Sequence, residues 1–342
     1  MWGGVFALSD AVSPDFEQDT GIPRFEGAFF GFNARSALYL LLKHLQPAKV
    51  WLPAYLCPEL LKALPAGQSW GYYALDSQLK PASDSWLEQL SPGDLVLAIA
   101  YLGFAPDPSW LAQVRARGAQ LLLDASQALY LTPSHPQDYL LYSPRKWGGV
   151  SDGGLLIGPH LPPLPTQQDA PPAWDLMHRA QTLRRAFETQ GQNNRQLQAE
   201  WFDLFRQAES LQPVGAWAMT ETSQKHLQSL LKDPMLPLQR RKNYQRLSAA
   251  LADWALFPEL PAETVPLGFA LCARQRNALQ AALAETRIYC PIYWPLADLV
   301  PETFRESHWL ADRLLSLPCD QRYSEADMDI ILTRIEALKH LL

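Results

Sequence analysis

The 342-residue sequence has little of what builds a metal site or a disulfide framework. Its four cysteines, Cys57, Cys272, Cys290 and Cys319, are widely separated, with no CxxC and no histidine at ligand spacing. That argues against a zinc site or a crosslinked scaffold and points to reduced, half-buried thiols. The seven histidines are equally dispersed. Charge of neither sign dominates, and a net charge of −6 gives no electrostatic reason to expect nucleic acid or an anionic membrane as a partner. No run approaches the roughly 18 apolar residues of a spanning helix, and no basic segment precedes an apolar one at the N-terminus. The chain therefore reads as cytoplasmic. Its 48% hydrophobic and 19% charged content suits a folded domain of this length better than a disordered one.

What is present is a regular alternation. Apolar residues recur at helical spacing from Arg35 to Leu45, and Lys49 to Leu52 then reads as a strand stopped by Pro53. Helices are expected near Pro58 to Leu64, Ser85 to Leu90 and Pro108 to Arg117. Strands are expected near Trp70 to Tyr73, Leu95 to Tyr101, Gln120 to Leu123, Tyr139 to Ser143 and Gly154 to Ile157. The run from Leu95 shows no alternation, as in a strand covered on both faces. Strands alternating with helices imply a mostly parallel sheet wrapped on both sides, an α/β class in three layers. From about residue 173 to 253 the pattern is almost wholly helical, with one long stretch from Trp174 to Leu211. Strand signals return at Gly268 to Cys272 and Ile288 to Pro291, with helices at Arg274 to Glu285, His308 to Leu315 and Ser324 to Leu341. The division expected is an arm over 1–30, a large unit over 31–235 containing the helical segment 173–235, and a smaller C-terminal α/β unit over 236–342.

The chemistry concentrates in two short segments. Asp124-Ala125-Ser126-Gln127 closes a buried strand, where open α/β sheets place their ligands. Taken alone, Asp124 is equally a helix cap, and Gln127 three residues on equally completes a capping box. Ser143-Pro144-Arg145-Lys146 follows about twenty residues later and runs into a glycine-rich loop, Trp147 to Gly154. A lysine partly shielded there has its neutral, nucleophilic form favoured. Carboxylate and lysine together are what pyridoxal phosphate needs: an amine to hold it as a Schiff base and an acid to keep its ring nitrogen protonated. Ser143 lies within reach of a phosphate at the same site, and Gly148, Gly149, Gly153 and Gly154 would let backbone approach a flat ring. Asn33-Ala34-Arg35-Ser36-Ala37 opens the first good helix, where free N–H groups suit a phosphate.

Together these pieces resemble the DegT/StrS-type sugar aminotransferases, fold-type I enzymes dependent on pyridoxal phosphate. Asp124-Ala125-Ser126-Gln127 looks like that family's Asp-Ala-Ala-Gln, which implies Asp124 at the pyridine nitrogen and Gln127 at the phenolic oxygen. Ser143, Lys146 and Gly153-Gly154 look like its Ser…Lys…Gly-Gly, which implies Lys146 as the cofactor's attachment and proton carrier. Ala34-Arg35-Ser36 stands where the family opens its first helix at the phosphate. Leu52-Pro53-Ala54-Tyr55 resembles the segment that supplies an aromatic ring partner. Cys57 occupies the usual aromatic position, leaving Tyr55 or Trp147 as substitutes. Gly191-Gln192-Asn193-Asn194-Arg195 resembles a Gly-x-Asn-x-Arg segment whose asparagine reaches the phosphate in the neighbouring subunit, and Ser316-Leu317-Pro318 resembles the closing strand. The resemblance implies a homodimer with shared sites and transfer of an amino group from glutamate or glutamine to a keto-sugar, nucleotide-linked, in amino-sugar or polysaccharide biosynthesis. Arg274, Arg276, Arg287 and Tyr293 are candidates for substrate contacts.

Three other readings compete. Dehydratases of the same family carry histidine in place of the lysine, so Lys146 speaks against them. Ser143-x-x-Lys146 also matches the nucleophile motif of penicillin-binding hydrolases, but here it ends a strand and the companion motifs are missing. A non-catalytic or regulatory descendant of the fold is the fourth, supported by Ala34 and Cys57 at irregular positions.

Overall fold

A computed structural model describes residues 1–9, 25–166 and 169–342. The part of the expected arm at 10–24 lies outside the described residues. A seven-stranded sheet is built from β2 (Phe29–Gly31), β3 (Val50–Pro53), β4 (Trp70–Tyr73), β5 (Leu95–Ile99), β6 (Gln120–Asp124), β7 (Tyr139–Tyr142) and β8 (Gly154–Ile157). Their order is β2-β8-β7-β6-β5-β3-β4. Strands β4, β3, β5, β6 and β7 pair in parallel, and β8 runs antiparallel to both its neighbours. β5 and the Leu121–Leu123 part of β6 are buried throughout, which is why their sequences are continuous apolar runs.

Because the middle strands are parallel, Pro53, Ile99, Asp124 and Tyr142 end at one edge of the sheet. The residues that directly follow them collect at that edge. β3 includes Pro53 instead of stopping before it: β5 pairs only with Val50 and Trp51, so the missing N–H costs the sheet no bond on that side. The short helices at Pro58–Ala63 and Ser85–Gln89 are 3₁₀ turns and not α-helices.

Helix α1 (Ala34–Leu45) begins at Asn33, whose side chain accepts from the Ser36 N–H, and it ends on Gln46 in the left-handed region at φ 48°. Helix α2 (Pro108–Ala116) packs on β6. The long helical stretch expected from Trp174 is broken into α3 (Pro172–Thr189) and α4 (Arg195–Ser210). Gly191 and Gln192 turn the chain with positive φ, and Asn194 recaps it by accepting from Leu197 N. The two helices form an antiparallel pair.

Helices α5 (Glu221–Lys232) and α6 (Met235–Leu251) lead into a smaller lobe. There β9 (Phe269–Cys272) and β11 (Leu314–Leu317) pair antiparallel, with α7 (Arg276–Glu285), α8 (Arg305–Arg313) and α9 (Glu325–Ala337) around them. The expected helix from His308 to Leu315 ends two residues early because Leu314 already belongs to β11. β10 (Ile288–Tyr289) does not join this sheet. It pairs in parallel with β1 (Trp2–Gly3), so the N-terminal residues are bound to the C-terminal lobe. Among the described residues, no helix is long and apolar enough to cross a membrane.

Candidate active site

Asp124 ends β6 with its side chain buried, and its Oδ1 accepts from the Ser126 N–H at 2.9 Å. That local bond holds the carboxylate at the sheet edge in an Asx-type turn. Gln127 is 2% exposed, and its Oε1 accepts from the Leu102 N–H at 2.9 Å. Since a backbone N–H fixes which end of the amide is oxygen, the buried Nε2 is the free end, and it has no hydrogen-bond acceptor. The turn that presents Leu102 is strained, with Leu102 at φ 54° and Gly103 at φ 104°. A Cβ on Gly103 would lie 2.3 Å from the Val265 carbonyl oxygen, so the smaller lobe presses on this turn. The Leu267 N–H donates to Leu102 O and secures it.

Four residues beyond β7, Lys146 closes a 3₁₀ turn over Pro144–Lys146, with its N–H donating to Ser143 O. Its ammonium makes no hydrogen bond or ion pair with the described residues. Cys57, half-buried after β3, is subject to the charges of both Lys146 and Asp124. Burial pushes its thiol pKa up, the nearby lysine pulls it down and Asp124 adds to the rise, for a net increase. Cys57, Asp124 and Lys146 thus stand at or just beyond the ends of β3, β6 and β7, which share one edge of the sheet.

Lys146 and Arg145 border a cavity of about 1230 Å3. Trp201, Phe202 and Phe205 of α4 form another wall, and Gly3 to Phe6 of the N-terminal arm close it. Arg287 and Tyr293 line it from the smaller lobe, whereas Arg274 and Arg276 do not. Burial raises the Tyr293 hydroxyl to about 12. Asn193, exposed in the turn between α3 and α4, borders the same cavity, while Asp124, Gln127 and Ser143 stand outside its lining.

Both side chains offered as ring partners, Tyr55 and Trp147, are fully buried. Tyr55 sits against Tyr101 and Trp294, with its hydroxyl donating to Tyr293 O. Trp147 lies under the Arg240 guanidinium, 4.6 Å from the ring centroid, and edge-on to Tyr130. The glycines after Lys146 also serve a different purpose from the one expected. A Cβ on Gly149 would lie 1.9 Å from Ala7 O, and one on Gly154 would lie 2.1 Å from the Asn33 carbonyl carbon. Both admit other protein segments, the arm and the start of α1, instead of a ligand.

At the opening of α1, Ala34 and Arg35 are half-buried and Ser36 is buried. The Ser36 N–H is capped by Asn33, and its hydroxyl donates to Pro213 O and accepts from the Gly215 N–H. Arg35 is paired with Glu59. The segment after α4 thus lies across this helix start, with Asn33 Nδ2 donating to Gln212 Oε1 and Pro213 O.

Sequence reasoning missed Arg145 and Glu209. Arg145 Nη1 donates to Glu209 Oε1 at 2.8 Å, 64 residues away, and its buried Nε has no acceptor. Burial raises the Glu209 carboxyl, but Arg145, with Arg35 and Lys146 behind it, more than offsets this and holds it below its ordinary value. Adjacency to Lys146 was the one available signal for Arg145. Nothing in the sequence marks Glu209.

No family model matches the sequence, and no curated protein matches it. Solved structures do. A DegT DnrJ EryC1 StrS aminotransferase from Brucella abortus is 20% identical, with 96% of this chain and 91% of that chain covered at a TM-score of 0.62. Spr1654 from Streptococcus pneumoniae, named as a sugar aminotransferase and solved in apo, PLP and PMP forms, superposes in its apo form at 0.69 with 15% identity over 98% and 97% of the two chains. The sugar aminotransferase CalS13 from Micromonospora echinospora gives 0.63 at 16% identity over 97% and 99%. The chain has the fold of these aminotransferases. The seven-stranded sheet with its single reversed strand, and the smaller lobe after it, make this the fold-type I architecture expected from the sequence.

Proposed function

We propose that the protein is a pyridoxal-phosphate-dependent aminotransferase, acting on a keto-sugar that is nucleotide-linked, with glutamate or glutamine as amino donor. The observation that carries this reading is the meeting of an unpaired lysine, a buried carboxylate and an orphaned amide N–H at one edge of the sheet. The cofactor fits that donor set. Gln127 Nε2 and Arg145 Nε are buried donors without acceptors, and a phosphorylated pyridoxal carries a phenolic oxygen and phosphate oxygens that need donors. The three forms in which Spr1654 was solved give further support to the choice of cofactor.

When bound, pyridoxal phosphate supplies an electron sink that lets an amino group leave one carbon and join another. Lys146 would hold it through Nζ and, once displaced by substrate, carry a proton as base and then as acid. Asp124, pinned by Ser126, would keep a proton on the pyridine nitrogen. Gln127, pinned by Leu102, would donate to the phenolic oxygen. Ser143, Ala34, Arg35 and Ser36 border the phosphate in this reading, and Asn193 reaches it from a second copy of the chain in a homodimer with shared sites. Tyr55 is not carried forward as ring partner. Residues 31–235 form the cofactor-binding unit and 236–342 the smaller one, in a cytoplasmic enzyme of amino-sugar or polysaccharide biosynthesis. Arg287 and Tyr293 face the substrate cavity. Borohydride reduction of the protein mixed with pyridoxal phosphate, followed by peptide mass spectrometry, tests the reading. A pyridoxyl group on Lys146 is expected, and labelling only at other lysines, or none, sinks it.

A further inference from the structure

Resting on that reading, we propose that Arg145 is the main ligand for the cofactor's phosphate, and that Glu209 occupies this guanidinium until the phosphate displaces it. The Arg145–Glu209 pair is incomplete as it stands. A single oxygen of the carboxylate meets a single nitrogen, Nη1, at 2.8 Å, whereas a guanidinium presents a fork of five N–H donors. Nε of the same fork is buried with no acceptor, an arrangement that is costly unless something else accepts from it. Glu209 reaches the pair from the surface: its side chain is 40% exposed and stands one residue from the end of α4, so it has water to turn into.

The surroundings point to an anion richer in charge and oxygen than a carboxylate. The charges of Lys146 and Arg35 add to that of Arg145 in favouring the ionised Glu209 carboxylate. A phosphate monoester carries about −1.5 to −2 charge at neutral pH and three acceptor oxygens. Along the side of the fork it would accept from Nε and Nη2 together, where Glu209 meets Nη1 alone. The segment that delivers Glu209 continues directly to Gln212, whose Nε2 is likewise buried without an acceptor, and to the contacts with Asn33 and Ser36 at the start of α1. Gln212 thus adds a second orphaned donor three residues after Glu209, and Lys146 is the next residue along from Arg145. The exchange is an ion swap that breaks one hydrogen bond and forms at least two, with no covalent step.

Titration of the full-length protein with pyridoxal phosphate and, separately, with phosphate-free pyridoxal, followed by tryptophan fluorescence, tests this. Arg145→Gln should weaken pyridoxal phosphate by roughly 10- to 100-fold, as expected for charge-assisted bonds, and leave pyridoxal within about twofold of wild type. Glu209→Gln should tighten pyridoxal phosphate and leave pyridoxal unchanged. If Arg145→Gln weakens both compounds alike, or neither, or if Glu209→Gln weakens the phosphate form, the assignment is wrong while the proposed reaction stands. A wild-type protein that binds neither compound overturns both. Should Arg145→Gln fail to fold, Arg145→Lys, which keeps the charge and loses the fork, must show the same selective loss in smaller measure.

Discussion

The hydroxyl of Tyr55, just beyond β3, donates to the carbonyl oxygen of Tyr293 at 2.6 Å, so the edge of the large sheet is bonded directly to the smaller lobe. The ring of Trp294 lies 5.3 Å from that of Tyr55, and Trp294 itself takes a positive φ of 53°. The aromatic residue that sequence offered as a face for the cofactor is instead a joint between lobes. Replacing Tyr55 with Phe leaves the Tyr293 carbonyl without its donor while keeping the ring. A stability loss of about 1 kcal/mol is expected in urea unfolding, with the absorbance of bound pyridoxal phosphate unchanged. A shifted cofactor spectrum with normal stability would return Tyr55 to the ring.

Cys57 stands where its thiol feels Lys146 and Asp124 at once. Its raised pKa makes it a slow nucleophile near neutral pH. Pyridoxal phosphate added beforehand should slow alkylation of Cys57 by iodoacetamide severalfold, read by peptide mass spectrometry, and leave Cys272 unaffected. Equal rates with and without the cofactor would place its ring away from the Cys57 side.

Asp152, in the loop after Lys146, accepts from the Thr220 N–H and hydroxyl, both at 2.8 Å, and so fixes the cap of α5. Burial pushes its carboxyl up to about 6, against the pull of its hydrogen bonds and of Arg145. A raised acid binds its proton more tightly in the folded state. Its contribution to stability is therefore fully present below the ordinary carboxyl pKa, about 4, and is lost as pH rises through about 6. Relative to Asp152→Asn, the wild type should gain on the order of 2 kcal/mol in urea unfolding between pH 7 and pH 4. Parallel stability curves for the two proteins would contradict this.

Gly149 lies against the N-terminal arm, and the Ser9 N–H donates to its carbonyl. A methyl group there would sit 2.3 Å from Ser9 N and 1.9 Å from Ala7 O. Gly149→Ala should displace the arm without unfolding the sheet. Faster proteolytic cleavage within the first nine residues, at an unchanged far-ultraviolet circular dichroism spectrum, is the expected result. A cleavage rate equal to that of wild type would show that the arm yields at no cost.

The sheet was legible because buried parallel strands have no choice of composition: Leu95–Ile99 and Leu121–Leu123 face protein on both sides and contain nothing polar. Asp124 stood out because a charged residue closing such a run has few structural reasons to be there, and Lys146 because it opens a glycine-rich loop four residues past β7. The break at Gly191 could have been read from Gly191 and Asn194, a turn residue followed by a cap, but helical periodicity on either side obscured it. Contacts between distant segments left no trace. The pairing of Trp2 with Ile288, and of Arg145 with Glu209, depends on how finished elements meet, and no local pattern encodes that.

The first nine residues have a mechanical consequence. Trp2 is zipped to Ile288 in one lobe, and Ser9 is fastened to Gly149 beside the lysine in the other. The seven peptide units between those anchors can stretch to no more than roughly 25 Å. Nearer still, Arg322 donates to Val5 O from the smaller lobe and the Leu8 N–H donates to Gln181 O in the large one, so the lobes cannot part by more than the few residues between them allow without tearing one of these bonds loose.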